Sequence, residues 1–217
     1  MTIMKRISAL LLALAISSQA AEEKKSALFD CESWAEGEVP KEVFVVDGTI
    51  KVAGLDGNKT IMIAPDPITD ATAQLGDSSR GSSSIKARVF ASKRGRSTPR
   101  MGLSVHGMNG YRLWLNAAKK QLELVFGGEV VTTAPFTWVS DTWTQLRLDV
   151  TQVSEKEWSI TAKAWQADGE EPKEPQIKIS NPAVKGQGKC AIWGSPFSEK
   201  PIYFDDITVV TTPAPAE

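Results

Sequence analysis

The chain has 217 residues, with 25 Lys+Arg against 26 Asp+Glu, one His and two Cys. This weakly acidic balance argues against a general nucleic-acid or anionic-membrane binder, which would be clearly basic. One His and two Cys supply no ligand set for a zinc finger or an iron–sulfur cluster, and the length suits one domain with a sizeable core.

Residues 1–20 read as a secretory signal. Lys5-Arg6 is the positive n-region, Ile7–Ile16 is apolar except for Ser8, and Ser18-Gln19-Ala20 places small residues at −3 and −1 of a cut. The apolar run is too short for the ~30 Å of a bilayer core, and no later stretch is long and apolar enough to span one. The mature chain would keep 23 basic and 26 acidic side chains, a net −3, and would be exported to the periplasm or beyond the cell. Residues 21–27 read as a short polar segment, 28–210 as a single domain and 211–217 as a flexible tail.

Beyond residue 27 the apolar period is two. Val43–Val46, Asp47-Gly48 and Thr49–Val52 have the form of a hairpin with a tight primed turn. Lys59–Ala64 is a further run, and Gly76–Ser84 reads as a Gly/Ser loop. Alternating segments follow at Ile85–Ser92, Met101–His106, Tyr111–Asn116, Leu122–Gly127, Gln145–Val150 and Trp158–Trp165; Lys189–Trp193 and Ile202–Val210 end the series. About eleven short strands without a helical period predict an all-β fold of two packed antiparallel sheets or a barrel.

Cys31 and Cys190 lie near the two ends of the domain. In an exported jelly roll, whose first and last strands often neighbour one another, they are a candidate disulfide; two separate buried thiols are the alternative. Glycosidases need two carboxylates about 5 Å or 6.5–9.5 Å apart. No Glu-x-Asp-x-x-Glu cluster occurs, Glu123 and Glu129 flank the Gly127-Gly128 turn, and no catalytic residue is assigned. There is no Gly-x-Ser-x-Gly elbow, phosphate loop or dinucleotide fingerprint. Ser104 and His106 share a strand face, about 7 Å apart at Cα, which is loose for a nucleophile and its base. Asp205-Asp206 interrupt the last strand, and the apolar phase shifts from Ile202/Phe204 to Ile207/Val209, as at a β-bulge. Carboxylate and carbonyl oxygens at such a bulge can hold Ca²⁺; a hydrogen-bonded Asp closing a turn is the alternative.

Seven tryptophans stand against two tyrosines. Trp114 and Trp165 fall out of phase with the apolar face of their strands. With Tyr111, Leu113 and Leu115 in the core, Arg112 and Trp114 face away from it, and Arg88, Phe90, Ser104, His106 and Glu123 are assigned to the same outer face. Aromatics amid Arg, His and Glu suit a sugar ring and its hydroxyls. The alternative is a covered sheet, with Trp114 and Phe90 in a second minor core.

The order of several pieces carries a family resemblance. They are Phe29-Asp30…Trp34, Gly110-Tyr111-Arg112-Leu113, Trp143-Thr-Gln-Leu-Arg-Leu148, Lys163-Ala-Trp165 followed by Glu171-Pro172, and Pro201-Ile-Tyr-Phe-Asp-Asp-Ile207. Together they resemble the concanavalin A-like, laminin G-like jelly rolls of exported bacterial proteins, including the three-keto-disaccharide hydrolase group, over residues 28 to 210. The resemblance implies a concave glycan-binding face, here Trp114, Arg112, His106, Phe90, Arg88 and Glu123. It also implies a structural Ca²⁺ at Asp205 or Asp206, with the Gly48 backbone as a neighbour. The catalytic carboxylates of the related glucanases are missing. The expected function is therefore binding of a glycan or polysaccharide without cleavage. The alternatives are a hydrolase or lyase using Glu123 and His106, and a structural or protein-binding module of the cell envelope.

Overall fold

A computed structural model describes residues 24–213; the expected signal and the last four residues lie outside them. Fifteen strands follow in chain order: β1 (Lys25–Phe29), β2 (Val43–Asp47), β3 (Ile50–Leu55), β4 (Asn58–Ile63), β5 (Ala71–Ser79), β6 (Ser83–Ala91), β7 (Arg100–Ser104), β8 (Arg112–Asn116), β9 (Gln121–Phe126), β10 (Glu129–Pro135), β11 (Thr142–Gln152), β12 (Trp158–Gln166), β13 (Ile177–Ser180), β14 (Gly188–Ser195) and β15 (Ile202–Thr211). All pairings are antiparallel. One sheet has eight strands in the order β13-β12-β11-β6-β15-β4-β3, with β1 also paired to β15; the other has seven in the order β10-β9-β8-β7-β14-β5-β2. Among the described residues no helix is long and apolar enough to cross a membrane.

The period of two builds this sandwich directly. Ile85, Ala87, Val89 and Ala91 of β6 point inward and meet Leu113 and Leu115 of β8 and Leu122 and Leu124 of β9 in one continuous core. Removing each large aliphatic side chain from water contributes about 2 kcal/mol. The inward Leu146, Leu148 and Val150 of β11 and Ile160, Ala162 and Ala164 of β12 extend the same layer.

Several expectations are corrected. Asp47-Gly48 does not close a hairpin: β2 pairs with β5 in the seven-stranded sheet, whereas β3 pairs with β4 in the eight-stranded one. The dipeptide is a corner between sheets. Asp47 Oδ1 accepts a hydrogen bond from Gly48 N at 2.7 Å, and a side chain on Gly48, whose φ is 81°, would strike Ala71. Gly76–Ser84 is not one loop. β5 runs through Gly76 to Ser79, with a bulge opposite Gly188–Cys190, and β6 starts at Ser83. The sandwich also begins at Lys25 and continues to Thr211, which pair with each other.

The two cysteines are free and buried, and no disulfide joins them. Cys31 Sγ lies 4.0 Å from Phe29 O and Cys190 Sγ 4.0 Å from Ser84 O. Phe29 pairs with Ile207, and Ser84 with Val210 on the far side of β15. Two strand spacings and three residues put the anchoring carbonyls about 14 Å apart, beyond any bridge. Burial pushes both thiols up to about 12, with Asp205 adding to the effect at Cys31, so neither is a nucleophile at neutral pH. The urea midpoint of the protein is therefore expected to be the same with and without dithiothreitol; a fall on reduction would show a bridge.

Candidate functional site

On the outer face of the seven-stranded sheet the register sets side chains in rows. One row runs Glu123 (β9), Trp114 (β8), Gly102 (β7), Trp193 (β14) and Thr72 (β5). A second runs Gln121, Asn116, Arg100 and Ser195. A third runs Val125, Arg112, Ser104, Ala191, Gln74 and Phe44, across six strands or about 24 Å.

Gly102 makes the centre of this face. Trp114 and Trp193 flank it, with ring centroids 6.0 Å apart in an edge-to-face arrangement. A Cβ on Gly102 would sit 2.8 Å from the Trp114 ring and 2.5 Å from Leu113 O. Trp193 Nε1 donates to Ser104 Oγ at 2.8 Å, which fixes its indole. The guanidinium of Arg100 lies 4.2 Å from the Trp114 ring centroid, and that of Arg112 lies 3.2 Å from the Trp193 ring and 5.5 Å from Trp114. The indoles are thus capped by arginines: Trp114 is 1% exposed and Trp193 3%. With Ala191 they form a second small core, so Trp114 is a shelf and its ring is not free to stack a sugar. What the face presents to solvent is guanidinium, amide and, at its β2 end, Phe44 at 61% exposure.

Burial pushes the Arg112 guanidinium down to about 10; Asp70 opposes the shift and Arg100 adds to it. Glu123 is buried beside Trp114. Burial alone would raise its carboxyl, but hydrogen bonds to Oε1 from Gln121 (2.9 Å), Lys119 (3.0 Å) and Asn116 (3.1 Å) outweigh that and hold it below the usual range.

The other residues assigned to this face lie elsewhere. Arg88 and Phe90 are on β6, on the outer face of the eight-stranded sheet. There Trp143, Phe90, Tyr203 and Met62 form a half-buried row across four strands. Arg88 stacks on Trp143 at 4.5 Å, beside a groove of about 500 Å³ reaching Thr142, Gln166 and Asp168. Trp165 shares this face, across from Gln145. Strand alternation showed which side chains leave the core but not which sheet their strand joins.

His106 leaves the strand at φ 60° and is buried. Its Nε2 lies 2.8 Å from Gly81 O and 3.1 Å from Ser83 Oγ, and its ring packs edge-on to Trp158. It does not meet Glu123 or activate Ser104. Burial lowers its pKa, with the Gly81 hydrogen bond opposing. A depressed pKa contributes stability that is present above the ordinary value of about 6.5 and is lost as pH falls through the folded value. The free-energy difference between the wild type and His106→Gln is expected to shrink from pH 8 to pH 5 in urea titrations; a constant difference would contradict this burial.

The bulge in β15 is present, with the register shifting between Asp205 and Thr208 and Asp206 at φ 49°. Arg88 occupies both carboxylates, at 2.5 Å from Asp205 and 3.0 Å from Asp206, and Asp205 Oδ1 also accepts from Asp206 N at 2.8 Å. Gly48 lies two strands and about five residues away, roughly 20 Å. A guanidinium between the carboxylates does not fit a Ca²⁺ site, and among the described residues no group of three or more His, Cys, Asp or Glu could hold a metal ion.

No protein-family model matches the chain, and no curated protein matches it by sequence. Solved structures do match in shape. The carbohydrate binding module CBM66 from Bacillus subtilis is 13% identical, with a TM-score of 0.53 over 78% of this chain and 96% of that one. Lectin II from Ulex europaeus is 10% identical, with a TM-score of 0.55 over 89% of this chain and 100% of that one. The marine PL-14 alginate lyase from Aplysia kurodai is 10% identical, with a TM-score of 0.51 over 76% and 87%. The fold is the two-sheet, concanavalin A-like jelly roll; at these identities the likeness is one of fold.

Proposed function

We propose that the protein is an exported, carbohydrate-binding β-sandwich that holds a glycan, without cleaving it, on the outer face of its seven-stranded sheet. The observation that carries this reading is the two rows of polar groups that border a rigid indole shelf. Arg100 and Gln121 on one side of the indoles and Arg112 and Gln74 on the other lie along a face long enough for an oligosaccharide, with Phe44 at one end as the exposed ring. Structures named as a carbohydrate binding module and as a lectin share the fold, which supports the reading. The lyase neighbour keeps an enzyme in view, but Glu123 and His106 lie apart, and among the described residues no paired carboxylates face the shelf. A second reading places the glycan on the other sheet, because Phe90, Trp143 and Tyr203 are only half-buried beside the groove at Gln166 and Asp168.

Affinity electrophoresis of the mature protein through gels containing a panel of polysaccharides tests the proposal. Retardation by at least one glycan is expected, reduced by Arg112→Ala and kept by Trp143→Ala. The reverse pattern would favour the eight-stranded sheet. Release of reducing ends would identify an enzyme, and no retardation of folded protein would leave an envelope interaction module.

A further inference from the structure

Resting on the glycan reading, we infer that the ligand is an acidic polysaccharide whose oxyanion, a uronate carboxylate or a sulfate ester, is held by Arg100 and Arg112. Arginines drawn partly under a protein surface usually pair with a carboxylate. Here the partly buried Arg88 does so with Asp205 and Asp206, and Arg147 with Asp149 and Glu171, whereas the exposed Arg80 and Arg96 need no such partner. Arg100 and Arg112 do not pair with a carboxylate. Among the described residues neither guanidinium donates a hydrogen bond or lies within ion-pair distance of a carboxylate, and the Nε of each is buried without a partner.

Both guanidinium groups lie beside the one Trp114 ring, so two planar sets of donors share a patch of surface. The acidic groups nearby do not supply the missing partner. Asp70 accepts from Ser195 Oγ at 2.5 Å, and Glu123 is bound by Lys119, Asn116 and Gln121. Two like charges held together on an indole shelf are left for an external anion, and the burial that lowers Arg112 is the cost such an anion would offset. The flanking Gln121 and Gln74 amides would take the uncharged hydroxyls of the same sugar chain.

Calorimetry with matched polymers tests this. The pairs are polygalacturonate oligomers against their carboxyl-reduced counterparts, and dextran sulfate against dextran. At low salt the acidic member is expected to bind at least about tenfold more tightly, the preferred pair distinguishing carboxylate from sulfate. Arg100→Gln and Arg112→Gln should each remove most of that preference while leaving the thermal transition cooperative. Because losing a guanidinium bares indole surface, the wild type is also read directly: the Arg100 and Arg112 Nε–H resonances should shift on adding the acidic oligomer. Equal binding of both members of each pair would overturn this inference and leave the glycan reading standing. Binding of none of these polymers, together with no retardation by any polysaccharide of the panel, would overturn both. A preference that survives both Gln variants, with unmoved Nε–H resonances, would place the charge recognition elsewhere and overturn the inference alone.

Discussion

Gly102→Val is expected to destabilise the protein by about 3 kcal/mol and to abolish the proposed glycan binding at the same time. The added Cβ would meet a backbone oxygen at 2.5 Å and the face of Trp114 at 2.8 Å. The backbone of β8 is held on both edges by β7 and β9 and cannot retreat. The indole must lift instead, and with it the seat of Arg100 and Arg112. Urea unfolding read beside affinity electrophoresis checks both effects. A variant of wild-type stability that still binds would mean that the Trp114–Trp193 shelf is not what organises this face.

Arg88→Met is expected to cost about 3–5 kcal/mol, because it leaves Asp205 as a buried carboxylate without its counter-charge. Burial already raises Asp205 above the usual carboxylate range, against the hydrogen bonds from Arg88 and the Asp206 backbone. A raised folded pKa contributes stability that is fully present below the unfolded value and is lost as pH rises through the folded one. Without Arg88 the folded value rises further, so the penalty of the variant should be largest near neutrality and shrink in acid. Arg88→Met combined with Asp205→Asn should recover most of the loss, since no charge then remains to be solvated. A double variant as unstable as the single one would show that Arg88 acts through its packing on Trp143.

Much of the fold is legible in the sequence because alternation is a local property. β6, β8, β9, β11 and β12 each bury the residues their period of two selects. The bulge at Asp205-Asp206 is legible for the same reason: an extra residue shifts the phase visibly. Four strands are not. β1 starts in charged residues, and β13 has only four positions. β5 is built of small residues and bends at Gly76, whereas β10 buries only Ala134. Asp47-Gly48 has the chemistry of a tight turn, but whether the next strand folds back or crosses to the other sheet depends on partners far along the chain.

The candidate site is half legible by the same logic. Arg112, Trp114 and Glu123 leave the core together because β8 and β9 are neighbours and in phase. Arg88 and Phe90 are in phase on their own strand, but strand order puts them on the opposite face of the molecule. Arg100, Trp193 and Phe44 also lie on the candidate face, and strand alternation alone does not bring them there. Trp193 reaches Trp114 only because β14, about eighty residues later, pairs with β7. A signal was available for Arg100 and Gly102, since both alternate with the apolar Met101 and Leu103. The capping of the indoles by guanidinium could not be read from alternation, which gives the side of a sheet and not the depth beneath its surface.

The most direct test is a titration of isotope-labelled protein with the glycan fragment retained most strongly in the panel, following arginine Nε–H and tryptophan indole signals. Saturable shifts are expected at Arg100, Arg112 and Trp193, with Trp143 and Trp165 unmoved. Shifts confined to Trp143, Trp165 and Arg88 would contradict it and place the glycan on the eight-stranded sheet.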